Sequence, residues 1–265
     1  MAWRGPPGCR APHASRKLKG TCVSVRQTGD MKLTAPTRRL VGWLPSGMLD
    51  WPGRLSSTVF LGGCDFRCPF CHNEALVSVP DVPAEWSSLI THLEAKRNWL
   101  DGVVITGGEP TVDPGLPEML RTFTEMGIPV KLDTNGNHPD VLKPLLAEGL
   151  ISYVALDLKT PFSRYASLTG VAESSARVAE SVEIIIDSGI AHEFRTTVYP
   201  GAVTLEDLEE MARTIEGGDR YALQQFVPTT TLDPRASAVL PYHPDALHES
   251  AARCSRFLPT IVRGA

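Results

Sequence analysis

Short apolar runs alternate with longer amphipathic segments from about residue 58 onward. Six apolar runs have the length of strands and span residues 58–61, 103–106, 129–133, 153–157, 193–198 and 221–226. Six amphipathic segments follow them and predict helices over residues 85–98, 116–126, 140–148, 174–187, 205–216 and 245–257. This alternation is typical of βα units built around a parallel sheet.

The helix predicted over residues 174–187 shows the pattern most clearly. Val182, Ile185 and Ile186 fall on one helical stripe, and Gly189 is placed to end the helix as a left-handed cap. Six strands with interleaved helices predict an open, partial (β/α)6 barrel, because a closed barrel of this type needs eight strands. A doubly wound open sheet is the alternative. In both folds the chemistry lies just beyond the carboxyl ends of the strands.

Length and composition support one folded domain. The chain has 265 residues and 28.8 kDa, with 42% apolar and 21% charged residues, which is ordinary for a globular protein. Residues 1–30 stand apart, because they are rich in Pro and Gly and carry six Lys or Arg residues against Asp30 alone. We expect a disordered basic leader, or a true start at Met31, followed by one domain over residues 31–265. An amphipathic targeting or RNA-binding segment is a third interpretation of the leader.

The remaining chain carries 20 basic and 29 acidic residues, which argues against a nucleic-acid surface on the folded part. No apolar stretch approaches the ~20 residues needed to cross a bilayer, so we expect no membrane partner and a soluble, cytoplasmic protein. In a reducing compartment, cysteines packed closely together indicate metal ligands rather than disulfides. The three isolated cysteines are expected to be free thiols: Cys9, Cys22 and Cys254.

Cys64, Cys68 and Cys71 form a C-x3-C-x2-C motif directly after the first strand. Three thiolates at this spacing can hold three irons of a cubane, and no fourth cysteine is nearby. Structural zinc prefers four closed ligands, and His72 adjoins Cys71 too closely to complete such a site comfortably. One coordination position is therefore left for a group from outside the protein, although a zinc site or a purely structural cluster stays an alternative.

Polar residues follow the later strands as well. Charges at the ends of buried strands are costly unless they are partnered, so these residues predict a ligand site or an internal Asp–Lys pair. A guanidinium suits a carboxylate, so Arg195 is a candidate ligand for one, with a structural salt bridge as the alternative. The candidates are Gly107, Gly108, Glu109, Asp133, Asn135, Asp157, Lys159 and Arg195.

The cysteine motif, with Phe70 before the last cysteine, resembles the radical S-adenosylmethionine (SAM) superfamily. That resemblance implies a partial barrel of radical SAM type and a [4Fe–4S] cluster held by the three cysteines. It further implies that the open iron binds SAM, whose reductive cleavage yields a 5′-deoxyadenosyl radical. By the same resemblance, Phe70 lies near the adenine, and Gly107, Gly108 and Glu109 lie near the methionyl amino group.

Two further segments point to a narrower group of proteins than the cysteine motif does. Asp133-Thr-Asn-Gly and Asp157-Leu-Lys look like segments of glycyl-radical-enzyme activases, which implies a monovalent cation at Asp133 and Asp157. The same likeness places Asn135 and Lys159 in the cofactor region. Residues 47–56, which include Asp50-Trp-Pro-Gly, and residues 223–234 resemble anaerobic ribonucleotide reductase activating proteins.

These resemblances imply an enzyme that installs a glycyl radical on an anaerobic ribonucleoside-triphosphate reductase. They also imply a flavodoxin- or ferredoxin-type electron donor. One alternative is a radical SAM enzyme acting on a small biosynthetic intermediate, similar to 7-carboxy-7-deazaguanine synthase. Another is a zinc-binding interaction module with no radical chemistry.

Overall fold

A computed structural model describes residues 35–79 and 81–265. The predicted leader over residues 1–30 and the alternative start at Met31 lie outside these residues, so both stay predictions. The described chain contains one eight-stranded sheet. Its strands are β1 Leu40–Gly47, β2 Ser56–Leu61, β3 Gly102–Gly107, β4 Val130–Thr134, β5 Tyr153–Asp157, β6 His192–Val198, β7 Tyr221–Gln225 and β8 Thr260–Arg263.

The strands lie in the sheet in the same order as in the sequence. Strands β2 to β8 are parallel, and β1 pairs with β2 in the antiparallel direction. Among the described residues β1 and β8 each pair on one side only, so the sheet stays open. The prediction of a partial barrel is confirmed, and the doubly wound sheet is wrong because the strand order never reverses.

Helices connect the parallel strands and cover the outer face of the sheet. All six predicted helices are present, with ends that differ by at most three residues, and a short helix after β5 is additional. The helices are α1 Trp86–Lys96, α2 Leu116–Glu125, α3 Pro139–Ala147, α4 Tyr165–Thr169, α5 Ser174–Ser188, α6 Asp207–Thr214 and α7 Pro244–Cys254. None of the helices in the described ranges is long and apolar enough to span a membrane.

Helix α5 forms as its pattern predicts. Val182 and Ile185 are buried in the hydrophobic core, and Ile186 is half-buried on the same stripe. Gly189 ends the helix with φ +66°, a left-handed conformation that costs glycine little because it has no Cβ.

The Asp50-Trp-Pro-Gly segment is structural and lies away from the strand ends that carry the candidate chemistry. The Trp51 ring is buried beside Tyr153, with 6.0 Å between ring centroids, and a Cβ on Gly102 would collide with it. Asp50 accepts a hydrogen bond of 2.7 Å from the Thr58 hydroxyl. Gly102 and Tyr153 are the first residues of β3 and β5. Trp51 therefore packs at the amino end of the barrel.

Candidate functional site

A cavity of about 280 Å³ opens at the carboxyl ends of β2 to β7. Every candidate residue predicted from the sequence lines it, although the individual ligand roles stay predictions. These residues are Cys64, Cys68, Phe70, Cys71, Gly107, Gly108, Glu109, Asp133, Asn135, Asp157, Lys159 and Arg195. Residues separated by up to 131 positions in the sequence, from Cys64 to Arg195, therefore converge on one space.

The three cysteines lie on a single segment, residues 62–73, which we name the cysteine loop. Its start is fixed to the following segment, because Gly63 N donates to Leu76 O at 2.8 Å and Cys64 N donates to Val77 O at 3.1 Å. Its end is turned by a hydrogen bond of 3.1 Å from Cys71 N to Cys68 O. The loop thus curls around one side of the cavity and brings all three thiols to its wall.

The donor set fits an iron–sulfur cluster. Burial raises the pKa of the Cys64 thiol to about 12 and that of the Cys68 thiol to about 11, so both are neutral without a cationic partner. Across residues 35–79 and 81–265, no three His, Cys, Asp or Glu side chains group closely enough to hold one metal ion. The three cysteine sulfurs need not converge on one point to hold a cubane, as they must for zinc, because each thiolate binds a different iron.

Asp65 anchors the cysteine loop to the end of β4, and sequence reasoning missed it. Its carboxylate accepts hydrogen bonds from Asn135 Nδ2 at 2.9 Å, Asn137 Nδ2 at 2.6 Å and His138 Nε2 at 3.0 Å. Burial opposes the charge, but these three donors lower the pKa of Asp65 to about 2. The signal available in the sequence was the run of polar residues that continues past Asn135 to His138.

Glu109 is fully buried and held by four protein donors. Its Oε1 accepts from Thr111 N at 3.0 Å, Thr111 Oγ1 at 2.5 Å and Thr134 Oγ1 at 2.8 Å. Within the described chain, its Oε2 accepts from Asn135 N alone, at 2.6 Å. Burial raises the pKa of this carboxyl group, and a cationic ligand in the cavity would oppose that shift. Oε2 keeps acceptor capacity for such a ligand.

Gly107 and Gly108 are required by the neighbouring backbone. A Cβ on Gly108 would collide with Gly63 O, and one on Gly107 would collide with Leu61 O. Gly107 also has φ +131°, which side-chain-bearing residues rarely adopt. The resemblance implies that this pair lies near the methionyl amino group, which stays a prediction; the close approach that the structure shows is between the end of β3 and the base of the cysteine loop.

Five charged residues carried by β4, β5 and β6 or directly following β5 form a continuous network beside the cavity, which we name the strand-end network. Arg195 joins the two aspartates: its Nε donates to Asp157 Oδ1 at 2.7 Å and its Nη1 donates to Asp133 Oδ2 at 3.1 Å. Lys159 Nζ donates to Asp157 Oδ2 at 3.1 Å, and Lys131 Nζ donates to Asp133 Oδ1. The structural salt bridge, given as the alternative for Arg195, is therefore present.

Opposite charges in this network favour the ionised forms of Asp157, Lys159 and Arg195. Burial opposes ionisation, but Arg195 and Lys159 hold the pKa of Asp157 well below its usual range. In the same way, and against burial, Asp157 raises the pKa of Lys159 and the two aspartates raise that of Arg195. Lys131, which sequence reasoning did not include in the site, has no exposed side-chain surface.

Aromatic rings and a later segment enclose the cysteine loop. The ring centroids of Phe70 and Tyr199 lie 5.2 Å apart, and those of Tyr199 and Phe226 lie 4.9 Å apart. His72 stacks on Phe226 at 5.8 Å, and its Nδ1 lies 3.0 Å from Thr230 O. Phe70 is thus held in a buried position beside the three cysteines.

The segment after β7 binds the loop through its backbone. Leu232 N donates to Cys71 O and Asp233 N donates to Pro69 O, both at 3.0 Å. These contacts give a physical reason for the late run over residues 223–234 that resembled one activase subgroup. The run holds the turn that carries Cys68 and Cys71.

Residues 58–215 match the model of the radical SAM superfamily, and this range contains every predicted site residue. The chain belongs to the radical SAM superfamily. Membership of the radical SAM superfamily implies SAM and a [4Fe–4S] cluster as its cofactors, and the three thiols lining the cavity suit that cluster.

Named relatives differ in their chemistry. A protein of Methanocaldococcus jannaschii, named provisionally as a glycyl-radical enzyme activating enzyme, is 32% identical over 219 residues, covering 81% of this chain and 90% of the relative. The 7-carboxy-7-deazaguanine synthase of Methanopyrus kandleri is 31% identical over 130 residues, covering 41% of this chain and 51% of the relative.

Solved structures share the fold. The crystal structure of SuiB of Streptococcus suis bound to S-adenosylmethionine superposes with a TM-score of 0.59 at 18% identity. The match covers 76% of this radical SAM chain and 48% of SuiB, so this chain spans about half of SuiB's length. At this identity the likeness concerns the fold alone.

Proposed function

We propose that this radical SAM enzyme installs a glycyl radical on a partner protein, an anaerobic ribonucleoside-triphosphate reductase. The observation that carries the proposal is the match to the M. jannaschii activating enzyme, which extends over most of both chains. One electron from a flavodoxin- or ferredoxin-type donor would cleave cluster-bound SAM into methionine and a 5′-deoxyadenosyl radical, which takes a hydrogen atom from glycine to leave a glycyl radical and 5′-deoxyadenosine.

The residues of the cavity divide this work. Cys64, Cys68 and Cys71 would hold the cluster as thiolates. Glu109 Oε2 is the acceptor for the methionyl ammonium, because it is a buried carboxylate oxygen with capacity left beside the cysteine loop. Phe70 would pack against the adenine, and its contact with Tyr199 in an aromatic wall of the cavity supports this role.

A protein substrate requires groups that recognise peptide. Thr197 and Gln224, at the ends of β6 and β7, line the same cavity and were not predicted as site residues. A hydroxyl and an amide can both donate and accept hydrogen bonds, as peptide groups do. We assign these two side chains to the glycine-bearing loop of the partner.

The test is formation of the glycyl radical. The protein is reconstituted with iron and sulfide under anoxia, reduced, and mixed with SAM and the reductase, and the sample is examined by electron paramagnetic resonance. We expect a glycyl doublet together with 5′-deoxyadenosine. A reductase whose acceptor glycine is replaced by alanine should give no doublet, and Cys71→Ala in this chain should give neither product. Cleavage of SAM with wild-type reductase present but no doublet would contradict the assignment of the partner.

A second candidate is the synthesis of a deazapurine, favoured by the partial match to 7-carboxy-7-deazaguanine synthase. The gene would be expressed in a bacterial strain that lacks its own synthase, and 7-carboxy-7-deazaguanine would be measured by mass spectrometry. Restored product would favour this candidate over the activase. We rank it second because the match spans about half the length of that relative.

A further inference from the structure

The resemblance to activases implied a monovalent cation at Asp133 and Asp157, and the strand-end network does not fit one. All four carboxylate oxygens of these two residues already accept from a cationic side chain. Each of these oxygens keeps a second lone pair, but a cation that used them would lie against the positive charges of Arg195, Lys131 and Lys159, and it needs several oxygen ligands directed at it. Here the space between the two carboxylates is occupied by the Arg195 guanidinium.

The charge balance points the same way. The network contains three cations and two anions, which gives a net charge of +1 at neutral pH. The methionyl carboxylate of SAM would bring this group to neutrality without any added ion. A metal cation in addition would put a further positive charge beside the three cationic side chains of a largely buried network, which is unfavourable.

Because the network is largely buried, a hydrated cation does not readily displace Arg195 from it. The side chains of Asp133 and Arg195 are 12% and 13% exposed, and that of Lys131 is not exposed at all. Removing a partner from a buried ion pair leaves an unpaired charge, so displacement of Arg195 by a hydrated ion is costly. A guanidinium also offers five donors in a fixed plane, enough to bind both aspartates and still donate to a ligand carboxylate.

We propose that Arg195 takes the place of the monovalent cation in this chain, so that SAM binding requires neither Na⁺ nor K⁺. Arg195 links Asp133 to Asp157 and presents its remaining donors to the cavity. The inference rests on the proposed use of SAM in this cavity, but it is independent of which partner receives the radical.

The test measures SAM binding to the reconstituted enzyme by isothermal titration calorimetry. Ionic strength is held constant with NaCl, KCl or tetramethylammonium chloride, whose cation is too large for a carboxylate site. We expect the wild-type dissociation constant to change by less than about twofold among the three salts. Arg195→Gln exposes both carboxylates, so its affinity should fall at least about tenfold in tetramethylammonium and recover mostly in Na⁺ or K⁺.

Thermal melting of the cofactor-free protein gives a second readout. Na⁺ or K⁺ should raise the melting temperature of Arg195→Gln above its value in tetramethylammonium, and should leave the wild type unchanged. Arg121→Gln is the matched control, because Arg121 forms an exposed pair with Glu148 away from the cavity. This control should behave as the wild type in every salt.

Two results would overturn the inference. One is a wild-type enzyme that binds SAM only in Na⁺ or K⁺, and this measurement needs no variant to fold. The other is an Arg195→Gln variant that loses SAM binding and is not rescued by either cation, since Arg195 would then be a direct ligand only. If the wild type binds no SAM in any salt, the proposed function fails rather than the assignment of Arg195.

Discussion

Asp65 shows how a single side chain can fix the geometry of the cysteine loop. It follows Cys64 directly and accepts hydrogen bonds from three side chains at the end of β4 and beyond: Asn135, Asn137 and His138. An asparagine at this position would turn its NH2 group toward donors. We therefore expect Asp65→Asn to lower the free energy of unfolding by about 1–3 kcal/mol, as for other buried polar groups that lose their partners.

Urea unfolding and the iron content after reconstitution check this prediction. Iron per chain should fall along with stability, because Cys64 loses its anchored neighbour. Asp187→Asn provides the control, since Asp187 is exposed near the end of α5 and should change stability by no more than about 0.5 kcal/mol. Equal iron and equal stability in the two variants would show that Asp65 does not position the loop.

The sequence was sufficient to predict those site residues that belong to a short local motif. Cys64, Cys68 and Cys71 are recognisable because thiolates at that spacing have few other uses. Asp65 could not be found in this way, because its three partners lie at least 70 positions away and become neighbours only when β2 and β4 enter one sheet. Lys131 was missed for a related reason, since a lysine inside an apolar run looks exposed until its strand is buried.

At the scale of elements, the site depends on how closely the end of β3 approaches the base of the cysteine loop. A Cβ on Gly108 would collide with Gly63 O and lie 2.5 Å from Leu76 O, and backbone atoms cannot give way cheaply. Gly108→Ala should therefore destabilise the fold by about 1–3 kcal/mol through overpacking and reduce cluster loading.

Gly42→Ala, in the edge strand β1, is the matched control. Its Cβ would meet nothing within 4 Å, so stability should be unchanged or slightly higher. Thermal unfolding and the absorbance of the reconstituted cluster near 400 nm measure both variants. Normal stability and normal loading in Gly108→Ala would mean that the two segments can separate without harm.

The elements themselves were predictable where one physical rule dominates. Parallel strands buried on both faces appear as continuous apolar runs, and β5 was predicted with its observed bounds, Tyr153–Asp157. Strand β1 was missed because Gly42 and Pro45 interrupt it, which is tolerated only because it is an edge strand. Strand β8 has four residues near the chain end, too few to show a period.

At the scale of the whole molecule, the cavity brings together residues from most strands of the open sheet. Residues from the ends of six strands, β2 to β7, line it, whereas β1 and β8 pair on one side only within the described chain. A ligand bound there would contact most of the barrel at once. Its binding energy should therefore stabilise the whole fold rather than one loop.

SAM should raise the melting temperature of the reconstituted enzyme, because it binds the folded state and not the unfolded one. At a SAM concentration about 100 times the dissociation constant, the expected gain is about 2.7 kcal/mol, or several degrees for a domain of this size. Hydrogen exchange should slow at the ends of all six lining strands together. A variant with Cys64, Cys68 and Cys71 all replaced by alanine lacks the cluster and should gain much less. An equal gain in that variant would mean that SAM is held by the strand ends alone, and that the cysteines contribute to chemistry but not to binding.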